Sequence, residues 1–146
     1  MGKWGLEVEG AKELNRTLAD IMPAEARRIA RRSVVAVAKK VRDTARQNAP
    51  RAGGTLRKAI RSAKRKAGRD EANAAVHVTT GNEARNDAFY WFFVEFGTRK
   101  QAAQPFIQPT IKEWEPKAPS AFADEWWGQF QKEMEKRARK QAQAAR

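Results

Sequence analysis

Between Pro23 and Pro50, small and β-branched apolar residues recur every three or four positions: Ala26, Ala30, Val34, Val37, Val41 and Ala45. That spacing gathers them on one stripe of a helix. Arg27, Arg28, Arg31, Arg32, Lys39, Arg42 and Arg46 fall on the opposite side. Proline fits the first helical position and cannot continue a helix from within, so the pattern predicts about seven turns bounded by the two prolines. A helix of this length with one apolar stripe must pack it against a sheet or another helix, which leaves the cationic stripe outside. With 146 residues the chain has room for one core built on that helix.

The flanking patterns are shorter. Trp4, Leu6 and Val8 alternate with polar residues up to Gly10, a strand signal, and Ala11, Leu14, Leu18 and Ile21 step at helical spacing before Pro23. After Pro50, the paired Gly53 and Gly54 predict a loop, then a short helical turn over residues 56–60. Residues 60–80 read as a β-hairpin. Its outgoing strand carries Arg61, Lys64, Arg65 and Lys66, its turn lies near residues 68–71, and Ala75, Val76, His77, Val78 and Thr79 form the return strand. A polar loop follows over residues 81–87. Phe89, Phe92, Phe93 and Phe96 then recur at helical spacing, favouring a short helix closed by Gly97 over a strand buried on both faces. A brief helix to Trp114 is expected after the tract at 105–109. A final helix, capped by Ser120 beyond Pro116 and Pro119, would carry Asp124 and Glu125 early and Lys136, Arg137, Arg139 and Lys140 late, as its dipole favours. The expected fold class is α+β: a small antiparallel sheet packed on the long amphipathic helix, with a C-terminal helix. Residues 1–135 form the single domain and residues 136–146 a basic tail that frays.

Charge and aromatic residues are segregated along the chain. The net charge is +13, and residues 24–70 hold 16 Lys and Arg against three acids, so this third carries all of it. Of 13 aromatic residues, 12 lie between Phe89 and Phe130. A basic patch of this density attracts polyanions or acidic protein neighbours, the bland alternative being a solvated face that keeps the protein in solution. Because the aromatics are not interleaved with the cations, a reader that stacks the bases of a single strand is disfavoured. Twelve large rings are more than so small a core buries, and aromatics are enriched at subunit interfaces, so an oligomer is expected. Trp126 and Trp127, with Phe122 and Phe130, give the last helix a broad apolar face.

Little points to chemistry. The chain has no cysteine and one histidine, His77, with no adjacent serine or carboxylate to complete a catalytic set. Glu95 sits among aromatics; a buried carboxylate can serve as a general acid, but an ion pair with Arg99 or Lys100, or a subunit contact, is the commoner fate. No phosphate-cradling glycine loop or metal-binding helix motif is present. No enzyme activity, cofactor or metal is expected. The first ten residues lack a signal peptide's apolar segment, and the longest uncharged apolar run, 88–94, is too short to span a bilayer. No membrane partner is expected.

Five landmarks occur in order: Gly10; Ala49-Pro50; Gly54-Thr55-Leu56 with Ile60; Tyr90 through Val94-Glu95-Phe96-Gly97-Thr98; and Pro105-Phe106-Ile107-Gln108-Pro109. Together they resemble the small tail-component family of long-tailed bacteriophages, the neck or tail-completion proteins of lambdoid-type siphoviruses. The chain departs from that pattern at Gly53, where threonine is common, at Trp91, where a small residue is common, and at Thr110, where alanine is frequent. The stretch from Pro116 to Trp127 has no counterpart there.

The resemblance implies a structural virion protein at the head–tail junction, made in the host cytoplasm. It would assemble as a ring, six-membered by the same resemblance, between head-completion proteins and the tail terminator, with the phage's double-stranded DNA passing through. Glu95, Phe96, Gly97, Thr98, Pro105, Phe106, Pro109, Trp126 and Trp127 are the expected subunit interface, Phe106 presented between two stiffening prolines. Arg27, Arg28, Arg31, Arg32, Lys39, Arg42, Arg46, Arg61, Lys64, Arg65 and Lys66 would meet DNA or acidic partners. Six copies of a +13 chain would carry +78, too much to line a channel without holding the DNA back, so part of it would face acidic neighbours. The alternative is a free protein that coats duplex nucleic acid without sequence preference.

Overall fold

The computed structural model describes residues 23–51, 54–68, 71–80 and 88–145. The expected strand over 4–8, the helix over 11–21, the loop over 81–87 and part of the hairpin tip lie outside them. The elements are α1 (Pro23–Asn48), α2 (Thr55–Ala59), β1 (Ile60–Arg65), β2 (Asn73–Val78), α3 (Trp91–Phe96) and α4 (Ile107–Ala144).

Helix α1 is the one its stripe predicts. Ala26, Ile29, Ala30, Val37, Val41 and Ala45 are buried, and Ser33, buried among them, turns its hydroxyl back to the Ile29 carbonyl at 2.8 Å. At its C-terminal end Arg57 donates from Nε and Nη2 to the Ala49 carbonyl, at 3.1 and 3.0 Å. One fork thus satisfies a carbonyl left over where the helix stops.

The fold is α+β. Strands β1 and β2 form a two-stranded antiparallel sheet in which Ile60 faces Val78 and Ser62 faces Val76. Side chains alternate along a strand, so Ile60 and Ser62 share one face with Val76 and Val78. Ile60 and Val76 join the α1 stripe, Leu56, Ala88, Phe106, Phe122 and Trp126 in one core. Lys64 is the next residue along the same face, beyond the apolar part.

Helices α1 and α4 run antiparallel. Going up α1, Glu25 pairs with Arg137, Lys40 with Glu125 at 2.8 Å, Thr44 with Trp114 Nε1 at 2.8 Å, and Asn48 with Thr110 at 3.0 Å. At 38 residues α4 is about 57 Å long and outruns α1 by about 18 Å.

One expectation fails here. The brief helix to Trp114 and the separate helix capped by Ser120 are a single helix that continues through Pro116 and Pro119. Ser120 is no cap; its hydroxyl donates to the Lys117 carbonyl at 3.0 Å. Asp124 and Glu125 therefore lie mid-helix, away from any terminal dipole. Each proline removes a helical hydrogen bond, at a cost of about 3 kcal/mol. Both are exposed, as are Lys112 and Glu115, so the two carbonyls left without an N–H donor can accept from water instead. The inward side holds Thr110, Ala118, Phe122 and Trp126, all buried. Full burial of a large side chain stabilises by about 1.5–3 kcal/mol, so this continuous stripe offsets the prolines.

Candidate functional site

Helix α3 is built inside out. Its phenylalanine side chains face solvent, with Phe92 52% exposed, Phe93 49% and Phe96 54%, and Phe89 just before it 68%, while Trp91 and Val94 pack in part against the core; its one carboxylate, Glu95, is 4% exposed. Ordinary amphipathic helices do the reverse. The exposed rings also touch one another, Phe92 and Phe96 at 4.6 Å between centroids. They form a contiguous apolar patch, the kind of surface that marks an interaction site.

The reason lies eleven residues on. Glu95 Oε2 accepts hydrogen bonds from the backbone N–H groups of Phe106 and Ile107, at 2.8 and 3.0 Å, and Oε1 accepts from Gln108 at 3.0 Å. These are the first three donors of α4, which no turn of the helix can satisfy. The fourth position is Pro109, which has no N–H. One carboxylate thus completes the helix start, where the dipole favours negative charge. Thr110 adds to the junction: its hydroxyl donates to the Phe106 carbonyl at 2.6 Å and accepts from Asn48 Nδ2 at 3.0 Å.

The connecting loop is equally constrained. Gly97 has φ 76° and ψ 174°, a region essentially reserved for glycine, and a Cβ there would lie 2.7 Å from the Ala103 nitrogen. The Thr98 N–H donates to Gln101 O at 2.8 Å, its hydroxyl accepts from Gln101 N at 3.1 Å, and Gln104 N donates to Val94 O at 2.8 Å. The Gly97→Ala protein is expected to lose at least about 2 kcal/mol of stability in urea unfolding, from backbone strain plus the clash. At Gly54, where φ is 68° but a Cβ would meet nothing within 4 Å, alanine costs only the αL penalty of about 1 kcal/mol.

This geometry divides the expected interface residues. Phe96, Thr98, Pro105, Pro109 and Trp127 are exposed. Glu95, Phe106 and Trp126 are not: Phe106 is 0% exposed and Trp126 1%. The two rings, expected at a subunit contact, are consumed by this chain's own core, because the helix start that Glu95 caps draws Phe106 inward and the α4 stripe carries Trp126. Gly97 serves the loop's backbone. Phe89, Phe92 and Phe93, absent from the expected set, are the exposed rings beside Phe96. Their spacing marked one helix face; nothing local told which way it turned.

The cations are sorted as well. Strand β1 runs back along α1, with its first residue, Ile60, beside Arg46 and its far end beside Arg31. Two adjoining depressions result, of about 350 and 420 Å³. Arg31 and Lys64 line both, Arg65 lines one, and Arg27, Arg28 and Arg32 line the other. The acid nearest in sequence, Glu25, is engaged by Arg137; its pKa is lowered, mainly by a hydrogen bond from its own backbone N–H and secondarily by that guanidinium. Arg42 and Arg46 lie outside the depressions. Arg42 holds Asp43 at 2.8 Å, and Arg46 donates from Nε and Nη2 to the Ile60 carbonyl at 3.0 and 2.8 Å. Burial, then the Arg42 charge, lowers the Arg46 pKa from its usual value. Lys39, Arg61 and Lys66 are exposed but line neither depression. His77 is half-buried on β2, opposite Arg61 in the register. Among the described residues no group of three or more side chains could hold a metal, and no helix is long and apolar enough to cross a membrane.

A family model described as "Bacteriophage HK97-gp10, putative tail-component" matches residues 12–97, more than half of the chain. The chain belongs to this family. No curated protein and no solved structure matches it. As an HK97-gp10-like tail component it has a structural, tail-related role in the phage particle. The match takes in α1, the hairpin and α3 up to Gly97, so both the cationic depressions and the inside-out helix fall within the HK97-gp10-like part. Pro105, Phe106, Pro109 and the whole of α4 lie beyond it. The Val94-to-Thr98 and Pro105-to-Pro109 tracts are nevertheless one structural unit, joined by the Glu95 cap.

Proposed function

We propose that this tail component works at the head–tail joint, as a ring that fastens tail to head and lets the DNA through. The observation that carries this reading is the reversed burial of α3. A chain that spends its only carboxylate between residues 88 and 112 on holding a short helix, and leaves that helix's phenylalanines in water, has built a rigid docking face. Rigid aromatic anchors lose little entropy on binding and dominate interface energetics.

The occupant of that face is a second copy of the chain. A closed ring joins two different surfaces of each subunit. Among the described residues the exposed large apolar side chains are Phe89, Phe92, Phe93, Phe96 and Trp127, four on the α3 side and one on α4. Trp127 is therefore the anchor of the opposite surface. Thr98, Pro105 and Pro109 border the first. The flanking rings, a head-completion protein and a tail terminator, would stack above and below.

Deleting the gene tests the placement. Electron microscopy of the lysate is expected to show DNA-filled heads beside separate tails. Joined, infectious particles would overturn it, and aberrant or absent tails with no joining defect would move the protein elsewhere in the tail.

A further inference from the structure

Six cations from two elements converge on the adjoining depressions between the N-terminal half of α1 and the end of β1: Arg27, Arg28, Arg31, Arg32, Lys64 and Arg65. We propose that this groove grips the phosphate backbone of double-stranded DNA without reading its sequence. The proposal deepens the head–tail reading by naming what the cationic face is for, and it rests on that reading only for where in the particle the duplex is met.

The convergence follows from topology. Arg46 fixes the start of β1 to the C-terminal part of α1. The strand then travels back along the helix, and its period-two alternation brings Lys64 to the helix side, next to Arg31. Three cations nearer the C-terminal end of α1 have roles in the fold: Lys40 holds Glu125, Arg42 holds Asp43 and Arg46 holds a carbonyl. The groove is thus a distinct part of the charged surface with its own geometry.

That geometry suits a duplex backbone. Arg27 and Arg31, like Arg28 and Arg32, stand four residues apart, about 6 Å along the helix axis. One DNA strand advances about 3.4 Å of axis per phosphate while also winding around it, so arginines one helical turn apart are spaced to meet neighbouring phosphates of one strand. Guanidinium forks bind phosphate in bidentate fashion, and five of the six cations are arginines, four of them on α1. Among the described residues the lining of both depressions contains no aromatic ring for stacking unpaired bases and no carboxylate. Planar forks repeated along a lining with no carboxylate among the described residues suit the evenly repeating charge of a duplex, and competition with an acidic polypeptide separates the two partners.

The test uses the purified full-length chain and a fluorescein-labelled 20-base-pair duplex, followed by anisotropy across salt concentrations. With all six cations engaged, log K against log salt is expected to fall with a slope of about −5. The triple variant Arg28→Gln/Arg32→Gln/Lys64→Gln should lower that slope's magnitude by about 2.7 and weaken binding at 0.1 M salt at least tenfold. Its thermal melt should match that of the parent, whose Arg28, Arg32 and Lys64 are all exposed. The control Lys112→Gln/Lys132→Gln, which removes equal-sign charge from α4, should leave slope and affinity unchanged. Three outcomes overturn the proposal: a triple variant no weaker than the control, a single strand bound as tightly as the duplex, or displacement of the duplex by polyglutamate at equal charge, which would assign the groove to an acidic protein. Failure here leaves the deletion phenotype untouched. Conversely, a deletion with no joining defect would leave the groove's affinity standing.

Discussion

Replacing Glu95 by glutamine is expected to lower the unfolding free energy by about 3 kcal/mol, and replacing it by alanine by more. For a chain of this size 3 kcal/mol corresponds to roughly 6–12 °C in Tm. The carboxylate accepts three backbone N–H groups, two of them through a single oxygen, and two of the donors belong to the buried residues Phe106 and Ile107. Glutamine keeps one acceptor oxygen but turns an NH₂ group toward a donor, so at least one N–H loses its partner and the charge opposing the helix dipole disappears. Alanine orphans all three, at about 1–3 kcal/mol for each donor that water cannot reach. Urea unfolding monitored by circular dichroism gives both numbers. If both variants melt within about 1 kcal/mol of the parent, α4 does not depend on this cap. Because Glu95 also fixes α3, phage carrying the glutamine variant should join heads to tails at low temperature and fail at high.

The long first helix and the hairpin were legible because each is a local pattern. A stripe recurring at 3.6 residues over 26 positions admits one reading, and alternation bounded by turns admits another. The end of α3 at Gly97 was legible for a similar reason, since a glycine after an apolar helical run supplies a backbone conformation other residues avoid. The continuity of α4 was not. Proline is a local breaker, whereas burial of Ala118, Phe122 and Trp126 is a tertiary gain, and only the folded chain sets one against the other. Phe106 shows the same limit. Two flanking prolines suggested a side chain held out to a partner, but Pro105 and Pro109 shape a helix start, with the second occupying the position where a missing N–H costs nothing. One signal could have tied the two tracts together. A helix beginning at Ile107 needs acceptors for three N–H groups, and Glu95 is the sole acid anywhere between 88 and 112. No periodicity spans such a gap, so the link emerges from counting donors.

Breaking the aromatic face is expected to separate assembly from folding. Phe92 and Phe96 contact each other and are each more than half exposed, so changing both to serine leaves no cavity and no unpaired group behind. Stability should stay within about 1 kcal/mol of the parent. Self-association should not survive: two aromatic hot spots at about 2 kcal/mol each amount to roughly a 10³-fold loss in affinity. Native mass spectrometry would then find only monomer where the parent forms a closed ring, and complementation of the deletion would fail. The ring's polarity can be read from a second variant. Trp127→Ser should block the opposite surface alone, leaving the α3 face intact. Mixed with the Phe92→Ser/Phe96→Ser protein, it still offers one good junction, its own phenylalanines against the other's Trp127. Head-to-tail assembly therefore gives a one-to-one pair that goes no further. If α3 instead docked on a second α3, the mixture would hold only homodimers of the Trp127→Ser chain, and the ring reading of this face would fall.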